Sequence, residues 1–259
     1  MVNYALACVK KTIHALSNCF SIADDPDILL KQLSVKIVKM KNQITMVLSL
    51  LKQGADPAQI LVKLGLRKAL LDCKSVLDVG CGTSLALRQL GISHCIGIEG
   101  YRPAFEEAKQ QNAQDEIICG DIRNLANYFK PDQFDACIAM DVIEHLPKED
   151  GLKLMRDMEL IAKRKVVFFT PNGFLPQRQS DDSDLQAHFS GWEPEEMKRH
   201  GYDVFGMLGP KNLRGEYHAL KRHPAFFWGL VSIMKQMIWV HGQPTKAAAI
   251  LCIKTLAKS

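Results

Sequence analysis

The residues best placed to do chemistry begin with Val76-Leu77-Asp78-Val79-Gly80-Cys81-Gly82-Thr83-Ser84. A short β-branched run passes into a glycine turn, and the turn opens a helix. Gly80 and Gly82 remove side chains where a ligand must approach the backbone. Such turns also occur without ligands, so the glycines alone decide little. Two acids strengthen the pattern. Asp78 can accept a hydrogen bond from a cationic amino group, although an acid at a strand end can also be a plain helix cap. Glu99 ends the next apolar run, roughly 20 residues on, where a carboxylate can hold both hydroxyls of a ribose. This is the spacing of a nucleoside crevice at the carboxyl ends of parallel strands. A nicotinamide dinucleotide is the competing ligand. Its fingerprint carries a third glycine for helix packing, and Ser84 stands in that place. The acid before the turn favours a compact aminoacyl nucleoside over a pyrophosphate.

From about Ser75 to Tyr202 the chain resembles the class I S-adenosylmethionine-dependent methyltransferases, in particular the small-molecule branch that contains quinone-biosynthesis enzymes. Asp78 to Ser84, with Cys81 and Thr83 inside the turn, is similar to the family's first motif, which cradles the methionine part of the cofactor. The family's usual last glycine is Ser84 here. The resemblance implies that Glu99 binds the ribose, with Gly100 and Tyr101 beside the adenine. Gly120-Asp121-Ile122 resembles the third motif, in which Asp121 would accept the adenine amine and Ile122 would pack on the ring. Met140-Asp141-Val142-Ile143-Glu144-His145-Leu146 resembles the segment that borders the sulfonium, through Met140, Asp141 and Val142. Thr170-Pro171-Asn172-Gly173 and His188-Phe189-Ser190-Gly191-Trp192 resemble the branch as well. The implied cofactor is S-adenosyl-L-methionine, leaving as S-adenosyl-L-homocysteine. The implied partner is a small-molecule acceptor, with oxygen preferred. An Asn/Asp-Pro-Pro-aromatic motif, common in enzymes that methylate exocyclic amines of bases, is missing after Met140. That lowers a nucleic-acid reading.

A sulfonium already activates its methyl group. The protein must align the acceptor, exclude water and manage one proton. His145 and His188 are the candidates for that proton, since a histidine near neutral pKa can take it from a hydroxyl or amine. Each could instead brace a loop. Asp141 fits an orienting role better than that of a base. Trp192 reads as a core anchor. His188, His200, His218 and His223 show no ligand pair at helical spacing, so no metal is expected.

These residues need a scaffold, and the apolar pattern supplies one. Runs at Ser75–Val79, Cys95–Ile98, Glu116–Cys119, Phe134–Met140 and Lys165–Phe169 read as strands. Amphipathic stretches at Pro103–Gln111 and Gly151–Ala162 lie between them. The alternation predicts an α/β fold, a Rossmann-like doubly wound sheet. Tyr202–Met207 and Ala249–Leu256 read as two late strands. The resemblance implies seven strands with the last antiparallel. Residues 1–72 read as an N-terminal helical extension, with 73–259 as the methyltransferase domain. One helix starts at Asp25-Pro26 and ends at Gly54, and a second starts at Asp56-Pro57. The extension and the segment from Gly173 to Gly191 would cover the acceptor.

Bulk properties exclude little but agree. Net charge is +5, and Lys and Arg are scattered, which reads as a solvated surface rather than a nucleic-acid patch. The eight cysteines show no C-x-x-C spacing, and several sit in apolar runs. Free thiols in a reducing cytoplasm are expected. No secretory signal is visible. The stretch 225–240 is broken by Lys235 and Gln236 and is shorter than the roughly 20 apolar residues of a span. Its Phe226, Phe227, Trp228, Leu230, Met234, Met237, Ile238 and Trp239 could still lie in a membrane interface. Two alternatives therefore stay beside the small-molecule enzyme. One is a methyltransferase for a lipid or prenylated quinone at a membrane surface. The other is a non-catalytic cofactor-binding subunit.

Overall fold

The computed structural model describes residues 57–176, 187–215 and 218–257. The long helix expected from Asp25 lies outside the described residues, as does most of the 1–72 extension. The described part belongs to one compact unit, Gly54–Ser259.

Seven strands form one sheet: β1 (Ser75–Val79), β2 (His94–Glu99), β3 (Glu116–Cys119), β4 (Phe134–Met140), β5 (Ala162–Pro171), β6 (Asp203–Pro210) and β7 (Ala247–Thr255). Their order is β3-β2-β1-β4-β5-β7-β6. The first five are parallel, and β7 runs antiparallel between β5 and β6. The strand order reverses between β1 and β4, where open α/β sheets place their ligands.

The helices are α1 (Pro57–Ala69), α2 (Ala86–Leu90), α3 (Arg102–Gln111), α4 (Lys148–Ile161), α5 (Pro194–Arg199) and α6 (Ala225–Ile238). Side chains alternate across a strand, so β1 feeds two cores. Leu77 and Val79 pack with Leu154, Met155 and Met158 of α4. Val76 packs with Val62 and Leu66 of α1 on the other face. Apolar surface buried in these two layers stabilises the sheet by about 25 cal/mol per Å². β5 begins before the expected Lys165, because Ala162 pairs with Phe134 ahead of a register shift. α4 begins before the expected Gly151, directly after Pro147. Gly151 is needed there for closeness: a Cβ would lie 2.5 Å from the buried Trp192 ring.

No helix among the described residues is long and apolar enough to cross a membrane. The described cysteines form no disulfide with one another, and all are buried except Cys119.

Candidate active site

A cleft of about 1110 Å³ opens at the carboxyl ends of β1 to β5. Gly80 to Ser84, Glu99 to Tyr101, Asp121, Ile122, Met140 to Val142, His145 and His188 all line it. Of the expected site residues only Asp78 does not.

The turn after β1 is shaped by two left-handed glycines. Gly80 has φ +63°, and a Cβ there would lie 2.6 Å from Val142 Cγ2. Gly82 has φ +49°, and a Cβ there would meet nothing within 4 Å among the described residues. It would stand beside a turn that lines the cleft. Glu99 clamps this turn to the end of β2. Its Oε2 accepts the Gly82 N–H at 2.8 Å, and its Oε1 accepts the Tyr101 N–H at 2.7 Å. Each carboxylate oxygen keeps a lone pair for a hydroxyl.

Asp78 lies beneath the turn. It is buried, and its Oδ2 accepts a hydrogen bond from Gln114 Nε2 at 3.0 Å. Burial pushes the carboxyl up to about 7, against the opposing hydrogen bond from Gln114. Gln114 Oε1 is itself buried without a partner among the described residues.

Asp121 caps the turn after β3 by accepting the Arg123 N–H at 2.9 Å. Both its oxygens also accept from the Arg123 guanidinium. This ion pair holds the carboxyl below its usual range. Arg123, which the sequence reading did not single out, also lines the cleft.

The residues after β4 and β5 form the other end. Asp141 sits in the left-handed region at φ +53°, as does His218 at φ +57°. His218 Nε2 lies 3.2 Å from Asp141 Oδ1. Non-glycine residues take this conformation sparingly, Asp and His more readily than most. His145 Nδ1 lies 3.0 Å from the Ala187 carbonyl, and His188 Nδ1 lies 2.6 Å from the Leu175 carbonyl. A carbonyl only accepts, so both Nδ1 atoms donate. Burial holds both imidazoles below the usual histidine range, so they are neutral at pH 7. The two rings meet edge to face at 4.7 Å.

The loop carrying His188 is pinned to the loop carrying His145. Phe189 and Ser190 donate backbone N–H groups to the Glu144 carbonyl at 2.9 and 3.1 Å. Trp192 Nε1 donates to the Ser190 hydroxyl at 3.0 Å, and Lys148 bonds the Gly191 carbonyl from above the indole face. Trp192 is thus the expected anchor, fully buried.

Residues 77–170 match the family model for the methyltransferase domain. This segment, a little over a third of the chain, is similar to a methyltransferase domain. The match runs from β1 to the end of β5, so it contains the glycine turn, Glu99, Asp121 and the 140–145 segment. A curated relative, the bovine 18S rRNA (guanine-N(7))-methyltransferase, is 32% identical over 97 residues, covering 37% of this chain. The chain spans about a third of that relative's length, 32%. Among solved structures, a SAM dependent methyltransferase from Archaeoglobus fulgidus aligns over 76% of this chain and 93% of its own, at 18% identity and a TM-score of 0.49. The magnesium protoporphyrin IX methyltransferase of Synechocystis aligns over 67% of this chain and 73% of its own, at 19% identity and a TM-score of 0.35. The fold assignment rests on the strand order and register above.

The buried Asp78 gives this domain a pH signature. An acid whose folded pKa is raised binds its proton more tightly in the native state. Its stabilising contribution is full below about 4 and is lost as pH rises through about 7. Asp78→Asn removes that loss and can offer an N–H to the orphan Gln114 Oε1. The variant should gain on the wild type by about 2 kcal/mol between pH 5 and pH 8. Thermal melts at the two pH values check it, and a constant difference would show that Asp78 holds no such proton.

Proposed function

We propose that this chain transfers the methyl group of S-adenosylmethionine to a small molecule, with oxygen as the preferred acceptor atom. The observation that carries the reading is the Glu99-clamped glycine turn at the point where the strand order reverses. In this reading the turn 80–84 holds the methionine part. Glu99 holds the ribose. Asp121 and Ile122 meet the adenine, and Met140 to Val142 border the sulfonium. The acceptor lies beyond them, against His145 and His188, whose neutral rings can take the proton of a hydroxyl. The segment shared with the bovine enzyme covers only 37% of this chain and 32% of that enzyme, so that enzyme's substrate is no guide to this one.

The first test is binding. Calorimetry should give micromolar affinities for S-adenosylmethionine and S-adenosylhomocysteine and none for NAD. Glu99→Ala should weaken both by roughly 1–3 kcal/mol, through lost charge-assisted bonds to the ribose and to the turn. NAD binding in place of either methionine nucleoside would overturn the reading. Turnover with a metabolite library then names the acceptor.

A second reading, a lipid or prenylated acceptor at a membrane surface, is favoured by one observation. Phe227, Leu230, Met234 and Ile238 of α6 recur along one helical face and are exposed. The opposite face buries Ser232 and Gln236 against β6, through bonds to Leu208 and Gly209. Exposed Lys221, Arg222 and Lys235 flank the stripe with positive charge. Such a face suits an anionic interface. The wild type should then sediment with anionic liposomes, and a Trp228/Trp239 double alanine variant should not. Equal sedimentation of the two would remove this reading.

A further inference from the structure

Three side chains converge where the loops after β4 and β5 meet. One ligand-type atom from each of Glu144, His145 and His188 lies within 4.8 Å of the other two. All three line the cleft. We propose that they bind a single divalent transition-metal ion, with zinc as the reference ion, on the acceptor side of the methyl-transfer site. The location on an acceptor side rests on the function proposed above; the metal site itself rests on the geometry.

The first observation is an unmet need. Glu144 is 2% exposed. Its Oε2 accepts the Thr170 hydroxyl at 2.9 Å, while Oε1 is buried with no hydrogen-bond partner among the described residues. Protonation does not cure this, because a proton on Oε1 would have nothing to donate to. A buried carboxylate oxygen left without a partner is among the least favourable arrangements in a protein interior. A dication satisfies the bare oxygen and the charge together.

The second observation is the state of the histidines. Each spends Nδ1 on a backbone carbonyl, that of Ala187 for His145 and that of Leu175 for His188. This fixes the tautomer and leaves the lone pair on Nε2. Metal-bound imidazoles are oriented in this way by a carbonyl or carboxylate on the other ring nitrogen. Ala187 stands two residues before Phe189, which with Ser190 is pinned by the Glu144 carbonyl. The three ligands are therefore held by a shared frame.

The donor set selects the ion. Magnesium and calcium take oxygen ligands. Two imidazole nitrogens and one carboxylate oxygen suit zinc and its first-row neighbours. Bonds of 2.0–2.1 Å in tetrahedral geometry bring ligand atoms to about 3.3 Å from each other. Closing from 4.8 Å asks for side-chain shifts of about an ångström. Three protein ligands leave a position open, as in sites where a metal takes a substrate oxygen. A metal there polarises that oxygen and favours its ionised form. The sequence expectation of no metal rested on pairs at helical spacing, and this set is split between two loops.

The experiment uses untagged full-length protein, stripped with chelator and dialysed. It is titrated with Co²⁺ followed by visible absorption and with Zn²⁺ by calorimetry. S-adenosylmethionine binding is measured on the same samples. The expected result is one ion per chain, a Co²⁺ d–d band, and a Zn²⁺-dependent rise in melting temperature. Glu144→Gln and His188→Ala should each weaken uptake by about 100-fold or more. Should Glu144→Gln fail to fold by circular dichroism, His188→Ala, a loop position, carries the comparison. Uptake unchanged in His188→Ala overturns the proposal, as does the absence of stoichiometric uptake in the wild type. S-adenosylmethionine binding without metal uptake sinks the metal site alone. Metal uptake without cofactor binding supports the site and sinks the methyl-transfer reading.

Discussion

Replacing Gly82 with valine is expected to abolish S-adenosylmethionine binding while the chain still folds. Two costs meet at this residue. Its φ of +49° is one that a side-chain-bearing residue adopts at a cost of about 1–2 kcal/mol. Its absent Cβ would stand in open space beside a turn that lines the cleft, so a branched side chain would take the volume of the cofactor. The first cost affects stability and the second affects binding. Gly91 separates them. It also has positive φ, +74°, with open space where a Cβ would stand, but it ends α2 and does not line the cleft. Gly91→Val and Gly82→Val should lower the melting temperature by similar amounts, roughly 2–8 °C. Only Gly82→Val should lose the cofactor, by more than about 100-fold in Kd, a deficit near 3 kcal/mol. Calorimetry on both variants decides the matter. If Gly82→Val keeps an affinity within about threefold of wild type, the cofactor does not cross this turn.

The second large effect belongs to the far end of the cleft. His145→Ala and His188→Ala should each cut turnover by about 10²–10⁴-fold. Cofactor affinity should stay nearly intact, because the turn and Glu99 lie at the ends of β1 and β2 whereas these histidines follow β4 and β5. Their Nδ1 atoms are committed to carbonyls, so whatever they do for the acceptor is done through the remaining nitrogen. Loss of rate follows whether that nitrogen takes a proton or holds an ion, and the cobalt band tells the two apart. Single-turnover rates with the true acceptor, alongside calorimetry with S-adenosylmethionine, make the measurement. Retention of more than about a third of wild-type rate in both variants would leave catalysis to alignment alone.

Local chemistry was legible in the sequence and distant pairing was not. The β-branched runs placed β1, β3 and β4 at their observed bounds, because a buried parallel strand is a short apolar block closed by turn residues. Glu99 was legible because its distance from the glycines is set by one strand–helix–strand unit. Gln114 under Asp78 was not, since its amide reaches across 36 residues with no periodic trace. His218 came from further still, 77 residues from Asp141, on a left-handed turn with no periodic pattern around it. Glu144 stood in plain view beside His145. Its importance lies in burial and a bare oxygen, which are properties of the packed chain. Arg123 was missed for the opposite reason: two residues from Asp121, it resembled an ordinary surface charge.

The insertion of β7 between β5 and β6 bears on how the protein is made. β6 has β7 as its neighbour in the sheet, and β5 is flanked by β4 on one side and β7 on the other. While the chain is being synthesised, β1 to β5 can assemble in order, since each of β2 to β5 finds a partner among residues already outside the ribosome. The sheet then has to wait. Until residues 247–255 emerge, the apolar run Val166–Phe169 presents a bare edge and β6 has nothing to pair with. An unpaired apolar edge is a template for another chain. Ribosomes stalled between β5 and β7 should therefore hold a nascent domain that has its donor-side strands in place and is a chaperone client, released in one step when β7 zips between its two waiting neighbours.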